Sequence, residues 1–151
     1  MTEVPLPDLA LQRAAETFLA RSAADPGMPA LKLHLLILPM GGGPDPIEPD
    51  QVFRIPVAWT GQLVHWVLVA DDAGDLQLQI DLATYDSYPS VTTVASDTAG
   101  PSLSGAIKNE SPEQWLPGWN PYVHDGDWLI VTTVGTPTVT GATLGLRLRE
   151  D

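Results

Sequence analysis

The chain contains no cysteine, few basic residues and no long apolar run, and each absence excludes a class of protein. Without cysteine there are no disulfides, no thiolate metal sites and no cysteine nucleophile, so stability must come from packing or assembly. Seven basic residues against 19 acidic ones give a formal net charge of -12. Because such a surface repels nucleic-acid phosphates, we expect no binding to DNA or RNA.

Membrane insertion is not expected either. The apolar run over residues 35–40 is far shorter than the roughly 18 residues that a membrane-spanning helix needs. The N-terminus, MTEVPLPDLALQR, carries acids before its apolar residues and lacks the basic segment of a signal peptide. The sequence therefore predicts neither a secretion signal nor a membrane anchor.

Proline and glycine are frequent, with 15 and 13 residues in a chain of 151. Together they place many turns between short elements, which favours β-structure over helix. The length suits one domain with a short appendage. The 44% hydrophobic content is close to the globular average and suffices for a packed core.

A short N-terminal helix is predicted from Asp8 to about residue 24. Asp8 can cap it, and Leu11, Ala15, Phe18 and Leu19 follow at helical spacing on one face. A short helix with such a narrow apolar stripe is only marginally stable alone in water. It should therefore dock on its own domain or on a neighbouring subunit. We interpret these four residues as attachment residues.

Pro and Gly in residues 25–29 end the helix, and residues 31–38 read as a strand that becomes wholly apolar. A Gly- and Pro-rich loop, residues 41–49, follows. We therefore divide the chain into an attachment segment, residues 1–49, and a β-sandwich domain, residues 50–151.

Alternation of apolar and polar residues predicts several strands in the second part of the chain. It is clearest at residues 76–82, after an Asp-Asp-Ala-Gly segment, residues 71–74, that reads as a hairpin turn. Further strands are predicted at residues 53–57, 61–70, 127–134 and 142–148. Residues 85–119 read as a long ordered loop in which the sequence suggests only short strands, near residues 91–95. Short strands with no helix between them predict a mainly β fold, an antiparallel jelly-roll-like β-sandwich.

No catalytic or metal-binding constellation is recognisable. His34, His65 and His124 lack metal-ligand spacing, and no Gly-x-Ser-x-Gly elbow surrounds any serine. The acids at residues 71–75 lack the spacing of a calcium loop and are more typical of turns. We expect no enzymatic activity, no cofactor and no metal.

Aromatic residues in loops are the best candidates for contact with a ligand or partner. They are Tyr85, Tyr88, Trp115, Trp119 and Tyr122. A sugar-stacking surface and simple anchoring of the loop are both compatible with this pattern. Trp66 and Trp128 lie within predicted strands and are expected to pack in the core.

The chain resembles a domain of tailed-bacteriophage virion proteins, such as tail-fibre, head-fibre and baseplate-type proteins. The resemblance covers roughly Val52 to Arg149. It rests on residues 55–60, 66–82, 84–89 (Thr-Tyr-Asp-Ser-Tyr-Pro), 101–104, 116–119 (Leu-Pro-Gly-Trp), 126–127 (Gly-Asp) and 143–148, with Lys108. Members of this family usually carry Trp-Lys-Asp before the tyrosine loop, where this chain has Leu82 and Ala83.

This resemblance implies a non-enzymatic virion component, either a capsid decoration or head-fibre protein or part of a tail fibre. It implies capsid or tail proteins as partners, a homo-oligomer with a trimer favoured, and a location in the virion after assembly in the host cytoplasm. A receptor- or carbohydrate-binding module of the phage tail, contacting a host-surface glycan, is the alternative.

Overall fold

A computed structural model of the chain describes residues 32–112 and 116–151. This part contains eight strands and no helix. The predicted N-terminal helix, with Leu11, Ala15, Phe18 and Leu19, lies outside the described residues, as does Trp115. The strands are β1 (Leu33–Gly41), β2 (Val52–Pro56), β3 (Gly61–Ala83), β4 (Thr92–Ala95), β5 (Ser102–Glu110), β6 (Tyr122–Val123), β7 (Trp128–Val134) and β8 (Gly141–Glu150).

All strand pairs are antiparallel and are arranged around β3 in the order β1-β8-β3-β7-β2. β3 has 23 residues; its first half pairs with β8 and its second half with β7. β4, β5 and β6 pair with β3 as well. The two end strands, β1 and β2, approach within 8 Å between Cα atoms, so the sheet curls into a nearly closed barrel. The predicted mainly β, antiparallel class is confirmed, while the jelly-roll connection stays a prediction.

The predicted hairpin turn at residues 71–74 is wrong, because β3 runs through it without reversing. The acids here bind neighbouring segments instead. Asp72 Oδ1 accepts hydrogen bonds from the Thr140 amide and hydroxyl, both at 3.1 Å, and Asp75 Oδ1 accepts one from the Gly105 amide at 2.8 Å. These turn-forming residues thus lie where β3 changes from pairing with β8 to pairing with β7. Their carboxylates accept hydrogen bonds from backbone amides of distant segments.

Alternation along the strands directs apolar side chains into one core. In β8 the core residues Ala142, Leu144, Leu146 and Leu148 alternate with the exposed Thr143, Arg147 and Arg149, as the sequence predicts, and Gly145 on the outer face is buried by its neighbours. The middle of β3 contributes Leu68, Leu78 and Ile80, all fully buried. Removing one such side chain to alanine costs about 2–5 kcal/mol, so these residues dominate stability.

β1 belongs to the same sheet as the later strands. It pairs with β8 over its whole length, from Leu33 opposite Arg149 to Gly41 opposite Gly141. The compact unit in the structure runs from Leu33 to Asp151, whereas the boundary predicted from the sequence lies after residue 49.

The segment predicted as one long loop, residues 85–119, contains two strands. β4 agrees with the short strand suggested near residues 91–95, but the nine-residue β5 was missed. β5 pairs with β3 through register shifts, and most of its side chains are exposed. It therefore lacks the regular alternation by which a strand is recognised from sequence.

Candidate functional site

The loop between β3 and β4, residues 84–91, is held by a compact set of hydrogen bonds. The Thr84 amide donates to Ser87 Oγ and the Ser87 amide donates to Thr84 Oγ1, each at 3.0 Å. The Tyr88 amide donates to the Thr84 carbonyl at 3.1 Å, and the Ser90 amide to the Ser87 carbonyl at 2.8 Å. The peptide bond between Tyr88 and Pro89 is cis. The loop therefore presents its tyrosines in a defined arrangement.

Two tyrosines of this loop form a pocket with residues of two strands. Tyr85, Tyr88, Arg54 and Trp128 line a cavity of about 280 Å³. We call it the aromatic pocket. Tyr85 is 84% exposed and Tyr88 44% exposed, whereas Trp128 is half-buried. Three aromatic rings in one open cavity offer flat apolar surfaces with polar tips.

Strand pairing places Arg54 and Trp128 on the same outer face. Trp128 begins β7 directly after a Gly-Asp turn and pairs with Pro56 of β2, and Arg54 lies two residues before Pro56 on that face. In the turn, Asp127 Oδ2 accepts a hydrogen bond from the His124 amide at 2.8 Å. The turn thus sets where β7 begins and where Trp128 projects.

Arg54 is oriented by Tyr88. Its Nε donates to the Tyr88 hydroxyl at 3.0 Å, and its Cζ lies 5.8 Å from the Tyr88 ring centroid. The pocket lining includes this one cation and no carboxylate, in a chain that carries a net charge of -12. A guanidinium beside aromatic rings suits a ligand with a planar anionic group and an apolar face.

The remaining predicted contact residues are not part of this pocket. Trp119 is half-buried against the core and donates from Nε1 to the Ala99 carbonyl at 2.7 Å, so it anchors its loop. Tyr122 lies in β6, edge-to-face with His124, and its hydroxyl donates to Asp151 Oδ2. That hydrogen bond raises the pKa of Tyr122, with smaller contributions from desolvation and the negative charge of Asp151.

Sequence reasoning missed Arg54 and assigned Trp128 to the core. Arg54 stands between Phe53 and Ile55, so alternation indicates that it faces outward, but nothing local indicates that Tyr88 meets it. The signal for Trp128 is its place at the start of a strand, immediately after a turn. Trp66, by contrast, is buried in the core as predicted.

The histidines have ordinary structural partners. His34 Nε2 lies 2.7 Å from Glu150 Oε1 and its ring stacks on Trp59 with centroids 3.9 Å apart. His65 Nδ1 lies 2.9 Å from Ser111 Oγ, which also accepts from the Trp66 amide. Among the residues that the structure describes, no three histidine or acidic side chains are grouped to hold a metal.

A second surface feature is an apolar face on the outside of β1, β8 and β3. Leu35 and Ile37 of β1 are 56% and 58% exposed, and Val69 of β3 is 46% exposed. Register places Ile37, Gly145 and Val67 side by side across the three strands. We call Leu35, Ile37, Val67 and Val69, around Gly145, the β1 face.

Gly145 lets the side chains of the β1 face close together. A Cβ atom at Gly145 would lie 3.0 Å from Val67 Cγ1 and 3.6 Å from Leu35 Cδ1. Leu35 and Val67 therefore flank the bare glycine and form a continuous apolar surface across β8. Arg147, opposite Leu35, is exposed at its border.

Comparison with known proteins gives no family. No family model and no curated protein matches the chain. The nucleoplasmin-like N-terminal domain of Drosophila FKBP39 is similar over 79% of this chain and 91% of its own, with 12% identity and a TM-score of 0.36. A chain of infectious bursal disease virus, Gx strain, is similar over 83% of this chain and 35% of its own, with 13% identity and a TM-score of 0.39.

A third solved structure, the Aeromonas sobria serine protease in complex with its chaperone ORF2, is similar over 94% of this chain. That match covers 30% of the other chain, with 9% identity and a TM-score of 0.35. This chain thus spans about a third of the virus and protease chains it resembles. Within residues 32–112 and 116–151, no helix has the length and apolar character to cross a membrane.

Proposed function

We propose that the chain is a non-enzymatic structural component of a tailed-phage virion, as a capsid decoration, head-fibre or tail-fibre protein. In this proposal the N-terminal segment and β1 attach the protein to its neighbours, and the rest of the acidic β unit projects outward. The sequence resemblance over Val52 to Arg149 supports a tailed-phage virion as the particle to which the protein belongs. The β1 face is the structural observation that carries the assembly role.

An exposed apolar face of this kind is typical of a protein–protein contact. Single exposed apolar residues are normal on soluble proteins, but contiguous ones usually mark an interaction surface. The β1 face joins residues of two strands across Gly145, and its β1 part carries Leu35 and Ile37 on an end strand of the strand order. Exposed apolar end strands are also prone to pair with another chain.

The overall charge opposes association of two copies, because each carries a net charge of -12. Burial of the β1 face must therefore supply the attraction between copies. Arg147 at the border of this face can pair with an acidic side chain of the neighbouring copy. We propose a homo-oligomer on the virion, with the trimer implied by the resemblance as the favoured state.

Leu35→Asp tests the assembly role. The carboxylate must be desolvated if the β1 face is buried, and one such interface residue is worth about 2 kcal/mol or more, so association should weaken at least tenfold. Light scattering after size-exclusion chromatography measures the oligomer, and incorporation into particles during phage growth measures attachment.

Val52→Asp is the matched control, because Val52 is 42% exposed on the opposite end strand, β2, outside the β1 face. It should leave both readouts unchanged. A wild-type protein that stays monomeric and never enters particles would overturn the proposal. If the wild type is a monomer that enters particles and Leu35→Asp prevents its incorporation, the neighbour of the β1 face is a different virion protein.

The aromatic pocket favours a second candidate function, a carbohydrate-binding module that recognises a host-surface glycan. Aromatic rings stack on the apolar faces of sugar rings, and the hydrogen-bonded loop of residues 84–91 presents two of the three rings. A glycan array probed with the wild-type protein and with Tyr85→Ala tests it. Absence of any glycan signal would overturn the carbohydrate-binding candidate and leave the structural role as the proposed function.

A further inference from the structure

We propose that the aromatic pocket binds a sugar residue that carries a carboxylate, as in a uronic acid within a surface glycan. The carboxylate is bound by the guanidinium of Arg54, and the apolar face of the sugar ring packs on Trp128 and Tyr85. This inference rests on the carbohydrate-binding function proposed above and names the class of its ligand.

The orientation of Arg54 is the first argument. Its Nε donates to the Tyr88 hydroxyl at 3.0 Å, which constrains the plane of the guanidinium. The described residues give its two Nη groups no hydrogen-bond acceptor, so these N–H groups are available to a ligand in the pocket. Two parallel N–H groups match the two oxygens of a carboxylate, a geometry that lysine does not offer.

The chemical composition of the pocket is the second argument. Its lining combines one cation with three aromatic rings and contains no carboxylate, although acids outnumber bases 19 to 7 in the chain. An anionic group is repelled by the chain in general and is attracted at this place. A neutral sugar would use the rings but would leave the guanidinium without an ionic partner.

The size of the pocket is the third argument. A volume of about 280 Å³ lies just below the range of drug-sized small-molecule sites, about 300 to 1,000 Å³. It therefore suits one or two sugar rings better than a long oligosaccharide. Because the loop is held by its own hydrogen bonds, little ordering of Tyr85 and Tyr88 is required on binding.

A titration of the full chain with glucuronate and with glucose tests the proposal, because the two sugars differ in the carboxylate. Chemical-shift changes in NMR spectra report binding at the low affinity expected of one sugar. Glucuronate should bind at least about 10-fold more tightly than glucose, as expected for a charge-assisted hydrogen-bonded pair.

Arg54→Gln keeps a polar side chain and removes the charge, so it should abolish this preference. Trp128→Ala should weaken the binding of both sugars. The matched control is Arg149→Gln, since Arg149 is an exposed arginine held by one neutral partner, Gln62 Oε1 at 2.8 Å, outside the pocket. Unchanged thermal unfolding of Arg54→Gln would show that the loss is not a loss of fold.

The outcomes separate this inference from the function on which it rests. If both sugars bind equally and Arg54→Gln changes neither, the carboxylate assignment is overturned and the carbohydrate-binding function stands. If neither sugar binds and the glycan array gives no signal, both are overturned. If glucuronate binds equally to the wild type and to Arg54→Gln, its site lies elsewhere and the inference fails.

Discussion

Two outer surfaces of the β unit, one over β7 and β2 and one over β1, differ in how far their outward-facing apolar side chains are exposed. On β7, Ile130 faces outward beside Arg54 and is only 8% exposed, although it lies outside the main core cluster. On β1, Ile37 faces outward and is 58% exposed. Ile130 is thus buried by its own chain, whereas Ile37 is left exposed by residues 32–112 and 116–151, and its surface is the one we assign to assembly.

The difference lies in what is packed over each strand. Next to β7, the loop of residues 84–91 extends far enough for Tyr88 to bind Arg54 of β2. On the β1 face the neighbouring β8 contributes a glycine, Gly145, between Leu35 and Val67. The same period of two therefore yields an open aromatic pocket on one side and an exposed apolar face on the other.

The largest expected contrast is in stability. Ile130→Ala should lower the free energy of unfolding by about 2–3 kcal/mol, because it empties a buried position. Ile37→Ala should change it by no more than about 0.5 kcal/mol, because the side chain is mainly exposed. Urea denaturation of both variants measures the difference, and equal effects would show that the two surfaces are not distinct in this way.

Loss of one hydrogen bond in the loop of residues 84–91 should have a smaller effect on the free energy of unfolding. Ser87→Ala removes the acceptor of the Thr84 amide and should cost about 0.5–1.5 kcal/mol. The Thr84 amide should then exchange its hydrogen faster, as measured by NMR. Ser90→Ala is the control, because Ser90 takes part in the loop through its backbone amide and carbonyl. An unchanged exchange rate in Ser87→Ala would mean that the pair does not hold the loop.

The smallest expected effect concerns Tyr122, which lies outside both surfaces. Its pKa is raised in the folded protein, mainly by the hydrogen bond to Asp151, so the folded state holds this proton more tightly than the unfolded state does. The resulting stabilisation is present below the unfolded pKa of about 10 and is lost as the pH rises through the higher folded value.

Ultraviolet titration should therefore show a tyrosine ionisation above the ordinary range, which we assign to Tyr122. Asp151→Asn should return that ionisation toward the ordinary range, because the amide carries no negative charge. A titration curve that is identical in the wild type and in Asp151→Asn would show that this hydrogen bond does not persist in solution.

Prediction of the fold from the sequence succeeded where a strand has one buried and one exposed face. The alternating apolar residues of 142–148 and 76–80 are buried as the sequence predicts. The burial pattern breaks after Ile80, where Asp81 is buried, Leu82 is half-buried and the pairing of β3 with β4 shifts register. Prediction failed at β5, whose side chains are mostly exposed, and at residues 71–74, where turn-forming residues lie within a continuous strand. In both places the backbone conformation depends on pairing with distant strands.

The sequence singled out only part of the candidate site. Tyr85 and Tyr88, predicted as contact residues, line the pocket, and their contact with a ligand stays a prediction. Trp119 instead anchors its own loop, as the alternative interpretation allows, and Tyr122 lies elsewhere. Attachment through Leu11, Ala15, Phe18 and Leu19 stays a prediction.

By itself, the sequence determined the β class, the inward residues of the regular strands, the net charge of -12 and the absence of disulfides, because these follow from composition and local period. Only the tertiary structure decided that Arg54, Tyr85, Tyr88 and Trp128 share one pocket and that Leu35 and Val67 meet across Gly145. These groupings depend on the register between strands far apart in the chain, and no local pattern encodes that register.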